Sequence, residues 1–421
     1  MKTTAVRIHG KKDLRLESFE LPEIKETEIL AKIISDSICM SSYKAAIQGT
    51  DHKRVHNDIA EKPAMIGHEF CGVLVKVGSK WADKYHEGNK FVIQPALNYN
   101  GSLDAPGYSY QYIGGDATYI IIPEEVMLMD CLLPYSDESW FNGSLTEPIS
   151  CVVGAFNASY HTVRGKYEHK MGIKKGGRLA ILAGAGPMGL AATDYALHCD
   201  RKPSVIVVTD VNQARLDRAK ALISPEEAEK EGVKLFFVNT SRVFNADEYL
   251  KDLAGGDFDD AFVFAPFSSL VETADRLLGQ DGCLNFFAGP TDSQFSAPFN
   301  FYNVHYASTH IVGTSGGNTD DMLKGIEMIR DGKLTPSMLV THIGGLDCVI
   351  DTTLNLPRIP GGKKLIYTEI SLPLTAIEDF EELGKTDPMF AELAKLVSET
   401  KGLWNVKAEK YLLEHAAPIS I

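Results

Sequence analysis

Residues Arg178 to His198 of this 421-residue chain, RLAILAGAGPMGLAATDYALH, carry its most informative pattern. An apolar run leads into three glycines and then into a helical pattern. The first glycine allows a tight turn, the second lets a pyrophosphate approach the backbone, and the third permits close helix–strand packing. Free N–H groups at the start of the helix attract an anion. The pattern predicts a strand, a turn and a helix that bind a dinucleotide through Gly184, Gly186, Pro187, Met188 and Gly189.

Apolar runs and helical patterns continue to alternate after this stretch. Strands at this spacing, with helices between them, are typical of βαβ units, so the sequence predicts a doubly wound parallel sheet. A helix is predicted over residues 212–222, and the further predicted strands are Val205–Thr209, Lys234–Val238, Asp259–Phe264, Cys283–Phe287 and His310–Gly313.

Asp210 follows the second strand of this series. A carboxylate at this position is placed to accept hydrogen bonds from the hydroxyl groups of the adenosine ribose. Its negative charge repels the additional phosphate of NADP, so the position favours NAD(H) over NADP(H). The alternative interpretation of the glycines is an ordinary structural turn.

The two ends of the chain have different patterns. Short apolar or alternating runs separated by Gly, Pro and Asn fill residues 1–150 and predict a mostly β domain. Near the C-terminus, Asp387-Pro388 resembles a helix start, and apolar residues recur at helical spacing up to Val397. A second helix is predicted over residues 406–413. We expect this helical extension to pack on the body of the protein or on a partner subunit.

The composition excludes several classes of partner. Forty-two Lys and Arg residues against fifty-six Asp and Glu give a formal net charge of −14, which argues against nucleic acid and anionic membranes. No apolar stretch approaches the roughly 18 residues of a membrane helix, and the first residues read as a strand without a secretion signal. The seven cysteines are scattered without a C-x-x-C pair, which argues against a disulfide framework and predicts a cytoplasmic protein.

Potential metal ligands stand at three places in the β-rich region: Cys39, the pair His68-Glu69, and Glu147. Each has an ordinary structural explanation by itself, since buried cysteines and Glu-Pro helix starts are common. Together they offer a thiolate, an imidazole and two carboxylates, with one position left for water or substrate. Such a set is typical of a catalytic zinc site. Cys151, one helical turn after Glu147, is an alternative ligand, although a buried helix residue is its simpler explanation.

Several strings occur in a characteristic order and spacing: SICMSS around Cys39, GHEFCGVLVKVG, LTEPISCVVGAF, LAGAGPMG and VVTDVNQARL. In these features, over residues 1–370, the chain resembles the zinc-dependent medium-chain dehydrogenases of the alcohol and polyol type. The resemblance implies a homo-oligomer, either a dimer or a tetramer. It also implies an α/β fold with a split, β-rich GroES-like catalytic domain (1–150 and 305–370), a Rossmann domain (151–304) and the helical extension (371–421).

The resemblance also implies roles for single residues. The positions of one catalytic zinc match Cys39, His68, and Glu69 or Glu147. Ser41 matches the hydroxyl that relays the proton of the alcohol, and we expect Ser41 and Glu69 to take part in catalysis. Ser315, in a glycine-rich loop, matches a position near the nicotinamide, although an ordinary turn is the alternative.

Longer strings such as PGYSYQYIGGDATY and HYASTHIVGTSGGNTDDM resemble family members that act on sugar phosphates. They imply the substrate pair L-sorbose 1-phosphate and D-glucitol 6-phosphate. Galactitol 1-phosphate, a free polyol such as sorbitol, a secondary amino alcohol, or a catalytically silent nucleotide-binding relative remain alternatives. A phosphate needs cationic partners, and the candidates, each also explicable as a surface charge, are Lys44, His52-Lys53-Arg54 and Lys363-Lys364.

Three departures from the family pattern affect these expectations. The segment Asn98–Ile113 has no cysteine, so we expect no second, structural zinc. Ser42 stands where an aspartate usually braces the zinc-bound histidine, and it offers His68 a shorter, neutral partner. The segment Tyr160–Gly177 is longer than in typical relatives.

Overall fold

The computed structural model describes residues 1–420. Its strands are β1 (Lys2–Gly10), β2 (Asp13–Glu20), β3 (Ile29–Ile38), β4 (Ala64–Met65), β5 (Phe70–Val77), β6 (Lys90–Ile93), β7 (Tyr119–Ile122), β8 (Leu132–Pro134), β9 (Tyr160–Thr162), β10 (His169–Met171), β11 (Arg178–Leu182), β12 (Val205–Asp210), β13 (Lys234–Asn239), β14 (Phe258–Val263), β15 (Leu278–Phe286), β16 (His310–Val312), β17 (Val340–Gly345), β18 (Lys363–Tyr367) and β19 (Thr375–Ala376). Its α-helices are α1 (Met40–Gln48), α2 (Glu124–Leu128), α3 (Phe141–Ser144), α4 (Thr146–Ala158), α5 (Pro187–His198), α6 (Gln213–Leu222), α7 (Pro225–Lys230), α8 (Ala246–Ala254), α9 (Ser268–Leu277), α10 (Phe301–Tyr306), α11 (Thr319–Arg330), α12 (Val349–Asn355), α13 (Phe380–Leu383), α14 (Pro388–Ser398) and α15 (Val406–His415).

The chain divides into two compact units. The first consists of Met1–Pro148, Asn318–Arg330 and Pro336–Ile421, and the second of Ile149–Gly317 and Asp331–Thr335. The expected start of the returning segment at residue 305 is therefore moved to residue 318. The physical reason is that β16 pairs in parallel with β15 and so extends the sheet of the second unit.

The second unit is built on a six-stranded sheet in the order β13-β12-β11-β14-β15-β16. All neighbouring strands are parallel, and helices connect most of them, which confirms the predicted doubly wound sheet. Strand β12 shows why, since all six of its residues, VIVVTD, are buried. A strand that is apolar on both faces is stable only where helices cover both sides of the sheet.

The first unit contains an eight-stranded sheet in the order β19-β17-β18-β3-β5-β6-β8, with β7 also paired to β3. A smaller sheet has the order β2-β1-β4. The predicted β-rich domain is confirmed. Strand β18 returns from late in the chain and pairs antiparallel with β3, with Lys364 opposite Ile38. This pairing brings the residues around position 363 beside the end of β3.

The C-terminal extension forms helices, as predicted, and packs within the first unit. The Asp387 side chain accepts a hydrogen bond from the Met389 backbone nitrogen at 2.8 Å and so starts α14. Apolar side chains of the extension share a buried cluster with Tyr367 of β18; they include Phe380, Phe390, Leu393, Trp404 and Leu412. The extension is thus part of the core of this unit.

Candidate functional site

Cys39 lies between β3 and α1, in extended backbone directly before the first turn of the helix. Its thiol is therefore at the positive end of the helix dipole, where a thiolate is stabilised. The Ser41 hydroxyl donates to the Cys39 Sγ at 3.1 Å. Burial raises the pKa of the thiol to about 12, so ionisation requires a bound cation in place of the proton.

A tight turn places His68 and Glu69 directly before β5. Gly67 in this turn has a φ of +89°, and a Cβ there would lie 2.6 Å from the Asp116 backbone nitrogen. Only glycine fits both the conformation and the space. The side chains that follow are buried, His68 with 4% and Glu69 with 1% of the residue surface exposed. The glycine of the GHE motif is thus needed to direct the two side chains inward.

Three of the predicted metal ligands come together. The Cys39 sulfur, a ring nitrogen of His68 and a carboxylate oxygen of Glu69 all lie within 4.8 Å of one another. Zinc binds these donor types at roughly 2.0–2.3 Å, so one ion can reach all three with small side-chain movements. Three protein ligands leave a fourth position open, as catalytic zinc sites require. The residues present therefore fit a catalytic zinc ion.

Glu147, the fourth predicted ligand, lies in the first turn of α4 and is half-buried. It is outside the set of donors within 4.8 Å, and so is Cys151. Burial and closer charges have the largest effects on the pKa values of Cys39 and Lys363. The Glu147 carboxylate has a smaller effect and raises both pKa values. It therefore lies within electrostatic reach of the same centre.

Hydrogen bonds hold the ring of His68. The Ser42 Oγ lies 3.3 Å from Nδ1, which is the position expected for the residue that braces a metal-binding histidine. The Ser41 Oγ and the Tyr108 Oη lie 3.2 Å and 3.3 Å from Nε2. Burial lowers the pKa of His68 to about 4, so the ring is neutral near pH 7, and neutral imidazole is the form that binds metals.

Lys363 lies beside the candidate metal ligands, and this corrects one candidate for phosphate binding. Its Nζ donates to both carboxylate oxygens of Glu69 at 2.5 Å, and both side chains are buried. Burial alone lowers the pKa of Lys363, but the negative charges of Cys39 and Glu69 raise it above its ordinary value. The neighbouring Lys364 is also buried and donates to the backbone oxygens of Pro360 and Gly362. Neither lysine is a surface charge.

The charges of the centre favour a divalent cation. An ionised Cys39 together with Glu69 and Glu147 supplies three negative charges, and Lys363 supplies one positive charge. A divalent ion makes this group neutral, which a buried site requires. The set of charges and the set of donor atoms therefore point to the same kind of ion.

Two buried carboxyl groups, those of Asp36 and Asp116, lie next to the backbone of Glu69, and the sequence motifs did not predict them. The Asp36 Oδ1 accepts a hydrogen bond from the Glu69 backbone nitrogen at 3.0 Å. Burial raises the pKa of Asp116 to about 7. The pKa of Asp36 is raised well above its usual range, first by burial and then by the charge of Asp116. The pair therefore retains a proton under neutral conditions, and Asp36 holds the backbone of Glu69 in place. Asp36 is near the end of a strand and Asp116 in a distant loop, so no local motif marks them.

The glycine-rich turn has the packing that its sequence predicts. A Cβ on Gly189 would lie 2.1 Å from the Gly184 backbone oxygen, so the third glycine permits close approach of α5 to the turn. A Cβ on Gly186 would meet no atom within 4 Å, which leaves this side of the turn open. Gly186 precedes α5, and Pro187 is its first residue, followed by Met188. The start of the helix therefore has room for an anion.

Asp210 and Ser315 lie in the same unit as this turn. Asp210 ends β12, and its Oδ1 accepts hydrogen bonds from the backbone nitrogens of Val211 and Asn212 at 2.8 Å and 2.9 Å. The carboxylate is thereby fixed at the C-terminal edge of the parallel sheet, where nucleotides bind in such folds. Ser315 is exposed in the loop between β16 and α11.

Two family models match the chain. Residues 25–131 match the alcohol dehydrogenase GroES-like domain, and residues 187–331 match the zinc-binding dehydrogenase model. The first range contains Cys39, His68 and Glu69, and the second contains Met188, Gly189 and Asp210.

Two of the relatives that match almost the whole chain are named for enzymes of sugar phosphates. A protein of Aliivibrio fischeri named mannitol-1-phosphate 5-dehydrogenase is 51% identical over 414 residues, 98% of each chain. A protein of Klebsiella pneumoniae named L-sorbose 1-phosphate reductase is 50% identical over 418 residues, 99% of each chain. Among solved structures, 2R,3R-butanediol dehydrogenase of Bacillus subtilis has a TM-score of 0.69 at 22% identity and covers 87% of this chain and 99% of its own. That likeness shows the fold alone.

Helices long and apolar enough to cross a bilayer are absent from residues 1–420.

Proposed function

The chain belongs to the zinc-dependent medium-chain dehydrogenase/reductase family, and from this premise we propose that it reduces a ketose phosphate to a polyol phosphate with NADH. Membership makes the chain an oxidoreductase. The proposed pair is L-sorbose 1-phosphate and D-glucitol 6-phosphate, because one relative at 50% identity is named for the former. A second relative, at 51% identity, is named for another sugar phosphate. The observation that carries the proposal is the donor set of Cys39, His68 and Glu69 in a chain of this ancestry.

Each residue of the metal centre has a separate task in this reaction. When bound, zinc polarises the substrate oxygen and the nicotinamide exchanges the hydride. Cys39, His68 and Glu69 would hold the ion, with Glu147 as a further carboxylate within electrostatic reach. Ser41, whose hydroxyl lies between the Cys39 sulfur and the His68 Nε2, is placed to transfer the proton of the substrate hydroxyl.

We assign the cofactor to the glycine turn of the second unit. The pyrophosphate would lie against Gly184, Gly186 and the first turn of α5, where backbone N–H groups and the helix dipole favour an anion. The fixed carboxylate of Asp210 supports NAD(H) over NADP(H), since it can accept hydrogen bonds from ribose hydroxyls and repels a 2′-phosphate. Ser315 is proposed near the nicotinamide.

A homo-oligomer and a cytoplasmic location complete the proposal. Strand β16 is at the edge of the parallel sheet, and Ile311 in it is 49% exposed. Large side chains of α10 are also exposed: Phe301, Tyr302 and Tyr306. An apolar sheet edge of this kind favours pairing with a second copy, as a dimer or within a tetramer. None of the seven cysteines forms a disulfide bond, which supports a reducing compartment.

The direct test is NADH oxidation by the zinc-loaded chain with a panel of ketoses and their phosphates. We expect turnover with L-sorbose 1-phosphate, a higher KM for the free ketose, and lower activity with NADPH. In the reverse direction, with NAD⁺ as the oxidant, efficient oxidation of free sorbitol or of galactitol 1-phosphate alone would replace the proposed substrate. A chain that binds NADH but holds no zinc and turns over no member of the panel would be a silent relative.

A further inference from the structure

Three cationic residues act on the ring of His52. One of them, Lys44 of α1, also interacts electrostatically with Cys39. Burial, and then the charges of Arg54, Lys53 and Lys44, lower the pKa of His52 to about 4. All three cations therefore lie within electrostatic reach of one ring. We define Lys44, Lys53 and Arg54 as the cationic cluster. Because like charges repel, such a cluster favours an anion as its neighbour.

Arg54 forms no ion pair with a carboxylate within residues 1–420. Its guanidinium carbon lies 5.3 Å from the centroid of the Tyr108 ring. Its Nε is buried and donates to no acceptor in the part of the chain that the structure describes. The contrast with Lys62, which pairs with Asp58 at 2.7 Å a few residues later, shows that acids are available in this segment. A buried N–H group without an acceptor is costly, so a ligand that supplies one is favoured.

Tyr108 connects the cationic cluster to the metal centre. Its hydroxyl lies 3.3 Å from the Nε2 of His68, and the two rings are 4.9 Å apart. His52 stacks with the same tyrosine at 5.7 Å, with the ring planes 6° apart. One aromatic ring therefore separates the cationic cluster from a metal donor. A substrate with its oxygen at the metal would have to span this ring to place its other end at the cluster.

We propose that the cationic cluster binds the phosphate group of the substrate, with Arg54 as its principal contact. This proposal rests on the proposed function, in which the substrate is a phosphate monoester. A guanidinium offers two parallel N–H groups that match two phosphate oxygens, and the buried Nε of Arg54 supplies one of them. Lys44 and Lys53 add charge without fixed geometry. Lys363 and Lys364, by contrast, are both occupied inside the protein.

The kinetic test compares a ketose phosphate with the same ketose lacking the phosphate, using the zinc-loaded full chain. Arg54→Gln is expected to raise KM for the phosphate ester about tenfold or more, because charge-assisted hydrogen bonds are lost. The kcat/KM for the free ketose and the KM for NADH should change less than about twofold. The matched control Lys62→Gln should leave every parameter at the wild-type value. Equal losses on both substrates, or no loss on either, would overturn the proposal.

A binding measurement separates this proposal from the proposed function. Inorganic phosphate is titrated into the wild type, Arg54→Gln and Lys53→Gln, with ³¹P NMR line broadening as the readout; Lys53 is exposed, so its replacement leaves the fold intact. We expect binding by the wild type and weaker binding by both variants. A wild type that binds phosphate but reduces no ketose phosphate would refute the proposed function alone. Equal binding by all three proteins, or none by the wild type, would refute the cationic cluster.

Discussion

At the scale of single residues, the buried pair of Lys363 and Glu69 controls the charge of the metal centre. The two side chains expose 8% and 1% of their surface, so solvent screens their interaction very little. Each charge is tolerable in this position only because the other is present. The Lys363 ammonium contacts both oxygens of the Glu69 carboxylate and so offsets the negative charge of this predicted metal ligand.

Replacing Lys363 with Met leaves an unpaired buried carboxylate and is expected to lower the free energy of unfolding by about 3–5 kcal/mol. The matched control is Lys364→Met, which removes hydrogen bonds to two backbone oxygens but leaves no charge unpaired; its expected cost is about 1–3 kcal/mol. Urea unfolding monitored by tryptophan fluorescence gives both values. Equal costs for the two variants would show that the ion pair carries no special weight.

At the scale of elements, different glycines of the turn before α5 serve packing and ligand binding. Gly189 packs against the turn, whereas Gly186 faces open space. The same residue type therefore has two different functions within three positions, and one pair of substitutions can distinguish them.

Gly189→Ala is expected to destabilise the chain by about 1–3 kcal/mol, since its Cβ would overlap the Gly184 oxygen, and to weaken NADH binding. Gly186→Ala should leave stability within about 0.5 kcal/mol of the wild type while also weakening NADH binding, because only the bound pyrophosphate needs that space. Thermal unfolding and NADH fluorescence titration measure the two effects. Unchanged NADH affinity in Gly186→Ala would place the cofactor elsewhere.

Helix α15 of the C-terminal extension supports the segment that leads to α4. The Glu409 carboxylate accepts hydrogen bonds from the backbone nitrogens of Trp140 and Phe141 at 2.7 Å and 2.8 Å, and from the hydroxyl of Tyr367. One acidic side chain thus connects the extension to the start of α3 and to β18. The extension is a structural part of the unit that carries the metal centre.

Burial raises the pKa of Glu409 to about 7 from a usual value of 4.5, so the folded state retains this proton to a higher pH than the unfolded state. Its contribution to stability is complete below about pH 4.5 and declines as the pH rises to about 7, by on the order of 3 kcal/mol. Glu409→Gln should remove this dependence, measured as the difference from the wild type in urea unfolding between pH 5 and 8. The exposed Glu414→Gln on the same helix is the control. A difference that does not vary with pH would contradict the shift.

At the scale of the whole molecule, features encoded locally could be predicted and features encoded by distant pairing could not. Short sequence motifs contain the glycine turn, Cys39 and His68-Glu69. In each motif, neighbouring residues set the local backbone conformation, so these features could be predicted from the sequence. Lys363 reaches Glu69 across 294 positions of sequence, through the pairing of β18 with β3. The expected boundary at residue 305 came from the family resemblance, whereas the apolar run His310–Gly313 predicts one more strand of the parallel sheet, and β16 does pair with β15.

The exposed edge at β16 predicts an oligomer that one charge can disrupt. Ile311→Lys places an ammonium on an edge strand that is otherwise available for pairing, and charged edges oppose such pairing. Sedimentation velocity should show a smaller particle for this variant than for the wild type. Met171→Lys, at a side chain that is 55% exposed on the hairpin of β9 and β10, should sediment as the wild type does. Identical particles for all three proteins would exclude β16 from the interface.

The measurement that tests the account most directly is the zinc content of wild type and Cys39→Ser, determined by mass spectrometry on samples whose NADH affinity and ketose phosphate reduction are also measured. We predict about one zinc ion per chain in the wild type. The variant should lose both zinc and turnover but retain its NADH affinity, because the proposed nucleotide site lies in the other unit. A Cys39→Ser protein that keeps its zinc and reduces ketose phosphates at the wild-type rate would contradict the metal centre described above.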